Sequence, residues 1–284
     1  MNRCTVIVEP GTTWQRDLGR AFGLIDAAAE AGADGIKFQY CSDPERLARR
    51  RNAGDYLTSY YDLKFNPAYH QQLADRCKMR GIMYACTVYI PEDVPVVTPF
   101  TSYFKVASFE AGADDLLAAY IDAMRDNDKK LIVSLGLGVD TADVIRQLYH
   151  TGDPNDPDPF LNERIVFLHC VSAYPTPIDE LNLACLRTVD GLSDHTASND
   201  PDSLNVGALA VASGATWVER HVCLDDTPAN HPDRVVALLP WQLIKYVRRI
   251  RVAERARGDV NVEGPAPSEM SMLRYRVQME EEER

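Results

Sequence analysis

The sequence has no apolar run that approaches the roughly 18 residues a bilayer-spanning helix needs, which excludes such a helix. Its opening, "MNRCTVIVEP", carries one Arg and a short apolar segment, too short for a signal peptide and without a cleavage-type tail, so a cytoplasmic protein is expected. No CxxC pair occurs among Cys4, Cys41, Cys77, Cys86, Cys170, Cys185 and Cys223. An odd, scattered set of this kind argues against a disulfide framework and a structural zinc site, and most of these thiols are expected as small buried hydrophobes. There is neither a GxGxxG nor a P-loop, so the common dinucleotide and nucleotide cradles are absent. Positive charge is short as well: Lys and Arg total 30 against 42 Asp and Glu, a formal net charge of −12. This argues against nucleic acid as a partner, because phosphate backbones demand clustered basic residues. A small anionic substrate is not, since it needs only a local basic pocket.

The 284 residues suffice for one large domain or two small ones, and 45% hydrophobic with 25% charged content is ordinary for a soluble globular protein. Strand-like apolar runs occur at Cys4–Val8, Asp34–Phe38, Ile82–Cys86, Tyr103–Val106, Leu131–Val133, Ile165–Leu168, Val189–Leu192 and Thr216–Val218. Helical patterns lie between them. One carries Leu18, Phe22, Ile25 and Ala29 and stops at Gly32; another opens with Asn66 as N-cap and Pro67, repeats Tyr69, Leu73 and Cys77, and stops at Gly81. "NDPDSLNVGALAVASGA" opens and closes in a similar way, and a last helix after Pro240 carries Leu243, Val247 and Ile250. Eight strands alternating with helices predict an α/β fold, a (β/α)8 TIM barrel in a single domain over residues 1–256, with 257–284 as a tail or truncated linker. A doubly wound sheet is the alternative, but it more often has fewer strands and a Gly-rich first turn.

Catalytic groups in such barrels come from the C-terminal strand ends, and polar residues collect there: Glu9, Lys37 and Gln39, Thr87, Lys105 and Ser108, Ser134, the "HCVSAY" cluster, Ser193 with His195, and Glu219 with His221. Residues two apart share a face of a strand, and barrel closure makes the eighth strand a neighbour of the seventh and first. Glu9, His195, Glu219 and His221 are therefore expected on one wall. After the second strand a long loop holds "RLARRRNAGDYLTSYYD", whose Arg46, Arg49, Arg50 and Arg51 either grip an anion, form a lid, or make a solvated basic face. The acidic, Pro-rich "TGDPNDPDPFLNER" lies between a helix and a strand, on the face away from the chemistry.

An ammonium inside a barrel is costly unless paired. Lys37 and Lys105 therefore read as anion binders, as Schiff-base amines, or as structural partners of Glu9 or Glu219. His195 and His221, at adjacent strand ends with carboxylates beside them, make a divalent-metal site with water positions open, with hydrogen-bonded core histidines as the other reading. His169 shares the parity of Phe167 and reads as a hydrogen-bonded histidine in the barrel floor. Ser172 and Tyr174 lie beyond the strand, within reach of a ligand, on a loop whose path Pro175 and Pro177 fix.

"AGADGIKFQ", "FKVAS", "LHCVSAYPTP", "GLSDHT" and "VERHV" together resemble the motifs of the sialic acid synthase family, in the same order and over about Val6 to Arg274. The resemblance implies a phosphoenolpyruvate-dependent condensing enzyme on a (β/α)8 barrel. Members join phosphoenolpyruvate to an open-chain N-acetylated aminosugar such as N-acetylmannosamine, giving a 2-keto acid and phosphate. It further implies a divalent metal, Mn2+ or Mg2+, held by His195 and His221. Lys37, Thr87, Lys105, Ser108 and Ser193 would bind the phosphate and carboxylate, Gln39 shares their face, Tyr174 would lie against the ligand, and Glu9 would face the sugar.

The departures are specific. "VEPGTTWQRD" keeps Glu9, Gly11 and Asp17 of the family's A-E-I-G-x-N-H-x-G-D but has Thr13 and Trp14 for Asn-His. Ser172 stands where the family has Asn, "SLG" (Ser134 to Gly136) where it has S-T-G, and "HPDRVVA" puts Arg234 and Ala237 where it has His and Ser. The family's C-terminal antifreeze-like domain, which lends an arginine to the partner subunit's site, is not matched by "SEMSMLRYRVQMEEEER". Arg234, the loop arginines or a separate antifreeze-like polypeptide are the candidate replacements. A homodimer is one expectation, since barrels of this kind often pair. A synthase with an altered acceptor is the first reading. A metal-assisted aldolase or lyase that does not use phosphoenolpyruvate and a catalytically silent barrel serving as a binding partner are the others.

Overall fold

A computed structural model describes residues 3–141, 144, 163–258 and 264–282. Eight parallel strands form one sheet: β1 (Thr5–Glu9), β2 (Gly35–Tyr40), β3 (Met83–Val88), β4 (Phe104–Val106), β5 (Leu131–Leu135), β6 (Ile165–Cys170), β7 (Gly191–Asp194) and β8 (Trp217–His221). The order β3-β2-β1-β8-β7-β6-β5-β4 closes through β1 and β8, which are in register from Thr5–Trp217 to Glu9–His221. The ladder is open between β3 and β4, where Ser102 N–H donates to Tyr84 O at 2.7 Å, so the barrel is nearly closed. Most strands run one or two residues beyond their apolar runs. Glu9, Gln39 and Thr87 stay in the ladder because backbone pairing continues after the inward side chains turn polar.

Among the described residues the helices are α1 (Leu18–Ala31), α2 (Pro44–Arg50), α3 (Leu57–Tyr61), α4 (Tyr69–Arg80), α5 (Val94–Val97), α6 (Asp114–Arg125), α7 (Ser203–Ala212), α8 (Pro240–Arg257) and α9 (Met270–Glu282). The α1 helix begins where the Asp17 carboxylate accepts from Arg20 N–H and ends at Gly32 in the left-handed conformation (φ 79°), as the pattern predicts. The α4 helix starts later than Asn66: its side chain accepts from Ala68 N–H in a local turn and caps nothing further. Similarly, α7 starts at Ser203 and has Ser213, not glycine, at its C-cap. No helix among the described residues is long and apolar enough to cross a membrane. The acidic Pro-rich stretch, for residues 151–162, lies outside the described residues.

Strand alternation divides the side chains into two sets. Inside, Ile7, Ala85, Tyr103, Ile132, Val166 and Leu168 form an apolar plug, and the polar inward residues stand above it. Outside, the larger core joins the strands to the helices. Close strand approach is built in at Gly191, where an added Cβ would sit 2.1 Å from Trp217 O. Between β7, β8 and α8 lies a fully buried ion pair: Arg220 Nη1 is 2.6 Å from Asp194 Oδ1, and the Tyr246 hydroxyl donates to Asp194 Oδ2 at 2.8 Å. Arg220 also donates to Thr196 Oγ1 (2.5 Å) and O (2.9 Å).

His70 on α4 is buried among Tyr40, Phe65, Tyr84 and Phe100, with Nδ1 2.7 Å from the Tyr84 hydroxyl. Burial lowers its pKa from 6.5 to about 4, because the imidazolium has no counter-charge there. The unfolded chain therefore binds the extra proton first as pH falls, and stability contributed by neutral His70 is complete above about pH 6.5 and lost down to about pH 4. At roughly 1.4 kcal/mol per pKa unit this amounts to about 3 kcal/mol. Urea titrations at pH 7 and pH 4 should show His70→Phe relieving that much of the acid-induced loss; equal losses in both proteins would refute the assignment. Replacing Arg220 by Met should cost about 3–5 kcal/mol, since it leaves Asp194 charged and buried. The same titration at pH 7 measures it.

Candidate active site

At the C-terminal mouth of the barrel is a cleft of about 410 Å3, lined from every strand except β3. Its floor is a charge cluster. Lys37 Nζ is 2.8 Å from Glu9 Oε2 and 3.8 Å from Glu219 Oε1, and donates to Thr87 Oγ1 at 3.0 Å. Lys105 Nζ donates to Ser134 Oγ (2.8 Å) and Val106 O (3.0 Å), and lies 3.8 Å from Glu219 Oε1. Gln39 donates to Glu9, and Ser193 Oγ to Glu219 Oε1 at 3.2 Å. All four charged groups are buried.

Burial alone would lower the pKa of Lys37, but Glu219 and Glu9 outweigh it and raise the pKa. For Lys105 burial wins and the pKa falls: its bonded partners are neutral oxygens, and the Lys37 charge adds repulsion. Burial would raise the pKa of Glu9, yet Lys37 and His221 hold it below the usual carboxylate range. Glu9 and Lys37 therefore form an ionised pair.

The motifs "SDHT" and "ERH" follow from alternation. Asp194 and Arg220 point outward into their shared ion pair, which leaves His195 and His221 facing the cleft. The two imidazole rings are 5.3 Å apart, and the Tyr174 ring lies tilted against His195 at 4.2 Å with its hydroxyl 2.9 Å from Nε2. Both ring nitrogens of His221 are buried without a hydrogen-bond partner, and Nε2 lies 3.7 Å from Glu9 Oε2. Among the described residues no group of three or more His, Cys, Asp or Glu forms a preassembled cage. Two imidazoles, one of them unpartnered, beside a carboxylate nevertheless suit a divalent ion that keeps other positions for water or substrate.

Opposite the histidines, Ser172 Oγ donates to Ser108 Oγ at 2.7 Å. Gly136 makes room for this pair, since a Cβ there would lie 2.4 Å from Ser172 Oγ. The "SLG" ending of β5 thus keeps the glycine that the hydroxyl pair needs.

Of the residues singled out from sequence, Glu9, Lys37, Gln39, Lys105, Ser108, Ser172, Tyr174, Ser193, His195 and His221 all line the cleft. Thr87 does not; it is a buried acceptor for Lys37. Arg234 does not line it either. The neighbouring Asp233 does, because its carboxylate accepts from Thr12 N–H (2.8 Å) and Oγ1 (2.7 Å) and clasps the β1 loop, leaving Arg234 half-buried outside. His169 is not in the barrel floor: β6 turns Val166, Leu168 and Cys170 inward, and His169 faces outward with Nε2 2.8 Å from Leu181 O. Asp233, Tyr56, Tyr89 and Phe109 line the cleft without having been singled out. They sit in the connections after the strands, Tyr56, Phe109 and Asp233 in short 3-10 turns, where no period marks them. Of the loop arginines only Arg51 lines it.

The fold has known counterparts. The chain is 27% identical over 280 residues to N,N'-diacetyllegionaminic acid synthase of Campylobacter jejuni, covering 91% of this chain and 79% of that protein. It is 27% identical over 269 residues to human N-acetylneuraminate-9-phosphate synthase, covering 90% and 71%. The crystal structure of N-acetylneuraminic acid synthetase from Leptospira borgpetersenii superposes with a TM-score of 0.80 at 25% identity, over 97% of this chain and 92% of that one. Residues 24–262 match the NeuB family, and the chain accordingly belongs to the NeuB family.

Proposed function

We propose that the cleft joins phosphoenolpyruvate to an open-chain aldehyde resembling an N-acylated aminosugar, giving a 2-keto acid and phosphate. The observation that carries this reading is the pair of buried ammonium groups, Lys37 and Lys105, above an apolar plug in a barrel of this family. Relatives named as legionaminic acid and neuraminate phosphate synthases support the same class of reaction.

In the reaction, C3 of the enol attacks the aldehyde carbon and a C–C bond forms. Water adds its oxygen at C2, the aldehyde oxygen takes up a proton, and the C2–O bond to phosphate breaks with its electron pair leaving on the phosphate oxygen. Phosphoenolpyruvate, aldehyde and water thus become 2-keto acid and phosphate.

Lys105 and the hydroxyls of Ser108, Ser134 and Ser172 supply the anion-binding wall. Lys37, through its contact with Glu9, keeps a carboxylate ionised beside His221, where Glu9 and Gln39 are placed to orient the acceptor. Tyr174 covers His195 and shields it from bulk water. His195 and His221 would hold a divalent ion, Mn2+ or Mg2+, which when bound polarises the aldehyde carbonyl.

Calorimetric titration of phosphoenolpyruvate into chelator-treated protein, with and without Mn2+, tests the reading. Binding is expected, and Lys105→Met should weaken it about 10- to 100-fold through loss of a charged hydrogen bond. Absence of binding under both conditions overturns the function. His221→Ala should abolish Mn2+-dependent phosphate release with N-acetylmannosamine as the probe aldehyde while leaving the thermal midpoint nearly unchanged. Release at the wild-type rate would remove the metal from the reading.

A further inference from the structure

Most of the lysine donors in the cleft are already engaged: two of the three on each ammonium are taken by close partners. An ammonium carries three N–H donors. Those of Lys37 are directed at Glu9 (2.8 Å), Thr87 (3.0 Å) and Glu219 (3.8 Å). Two of those on Lys105 go to Ser134 and Val106 O, and Glu219 lies 3.8 Å away. A phosphoryl dianion presents three acceptor oxygens and needs more than this.

The third cation lining the cleft is Arg51, just after α2. Its neighbours in the arginine run go elsewhere: Arg46 pairs with Glu92 at 2.7 Å, and Arg50 donates to Asp115 at 2.6 Å. Arg51 turns inward, its side chain 16% exposed. Its guanidinium carbon lies 4.7 Å from the Phe109 ring, 5.0 Å from Tyr89 and 5.4 Å from Tyr60, so the planar group is held among aromatic faces. Nε donates to Glu110 Oε1 at 2.7 Å, and Nη2 donates to the same oxygen. Of its five N–H donors two go to Glu110 and Tyr60 engages another, so the guanidinium still has donors to offer where it lines the cleft. Glu110 belongs to the turn Ser108–Glu110, so Arg51 is tied to the segment that carries the Ser108–Ser172 pair. The Glu110 carboxyl also senses Lys105.

We propose that Arg51 is a direct ligand of the phosphoryl group of the three-carbon substrate, acting beside Lys105 and the two serines. The inference rests on the reading that the cleft takes phosphoenolpyruvate, and it adds a cation supplied by the chain's own β2 loop. A guanidinium suits this place because it offers two parallel N–H donors to one oxyanion, which an ammonium does not.

Binding of phosphoenolpyruvate, inorganic phosphate and pyruvate to the wild type, Arg51→Met and Arg51→Lys separates the outcomes. Arg51→Met should weaken phosphoenolpyruvate and phosphate about 10- to 100-fold and leave pyruvate, which lacks the phosphoryl group, unchanged. Arg51→Lys keeps the charge and the fold and should recover only part of the loss. Wild-type affinity for phosphate in both variants, or equal weakening of pyruvate, overturns the inference. A wild type that binds no phosphoenolpyruvate overturns the function itself, a distinguishable failure.

Discussion

Charge buried above an apolar floor must neutralise itself, and the cleft is organised by that constraint. The Lys37–Glu9 contact of 2.8 Å is its centre. An isolated ammonium or carboxylate at this depth would be driven to its neutral form; together they hold each other ionised. Glu219 sits between Lys37 and Lys105 at 3.8 Å from each and spreads the compensation over two strands more. The cleft therefore has a fixed arrangement: Lys105 with the hydroxyls of Ser108, Ser134 and Ser172 toward β4–β6, imidazoles and carboxylates toward β7, β8 and β1, and Lys37 on β2 beside Glu9. A ligand with an anionic end and an electrophilic partner matches that pattern without rearrangement of the floor, which is the sense in which such a site is preorganised.

A second constraint is the period of the strand. Each of the two histidine motifs places one residue in the cleft and its neighbour in the outer core, so the ion pair between Asp194 and Arg220 fixes the strands whose next residues are His195 and His221. Structural and chemical residues alternate along the same few positions. The Tyr246 hydroxyl extends the lock to α8, and the imidazoles thereby inherit the rigidity of the helix layer.

These two rules explain how much of the molecule was legible in its sequence. The eight apolar runs mark the strands, and the polar residues that follow them mark the mouth of the barrel, so Lys37, Lys105, His195 and His221 are found by position alone. Ladder ends are less visible: β2 and β3 continue through Gln39 and Thr87 because backbone pairing does not depend on apolar side chains. His169 reads onto the wrong face because the apolar run "IVFL" gives no alternation from which to set the parity. Thr87 shows the limit of strand-end reasoning, since it holds Lys37 from behind and does not line the cleft. Loop residues are least legible. Nothing periodic separates Asp233 from Arg234, or Arg51 from the arginines beside it; the Thr12 clasp and the aromatic cage decide, and both are tertiary.

The closing seam of the barrel also bears on how the site comes into being. Thr12 and Asp233, 221 residues apart in the chain, are joined across the loops that follow β1 and β8, and Glu9 meets His221 across the same two strands. Contacts of such long range are slow to form because their loop entropy is lost before they repay it. A chain emerging from the ribosome holds Lys37 and Glu9 long before Glu219 and His221 exist to complete the cluster. The charge cluster of the cleft is thus complete only once β8 has been made, and a chain interrupted before β8 leaves Lys37 without its Glu219 contact.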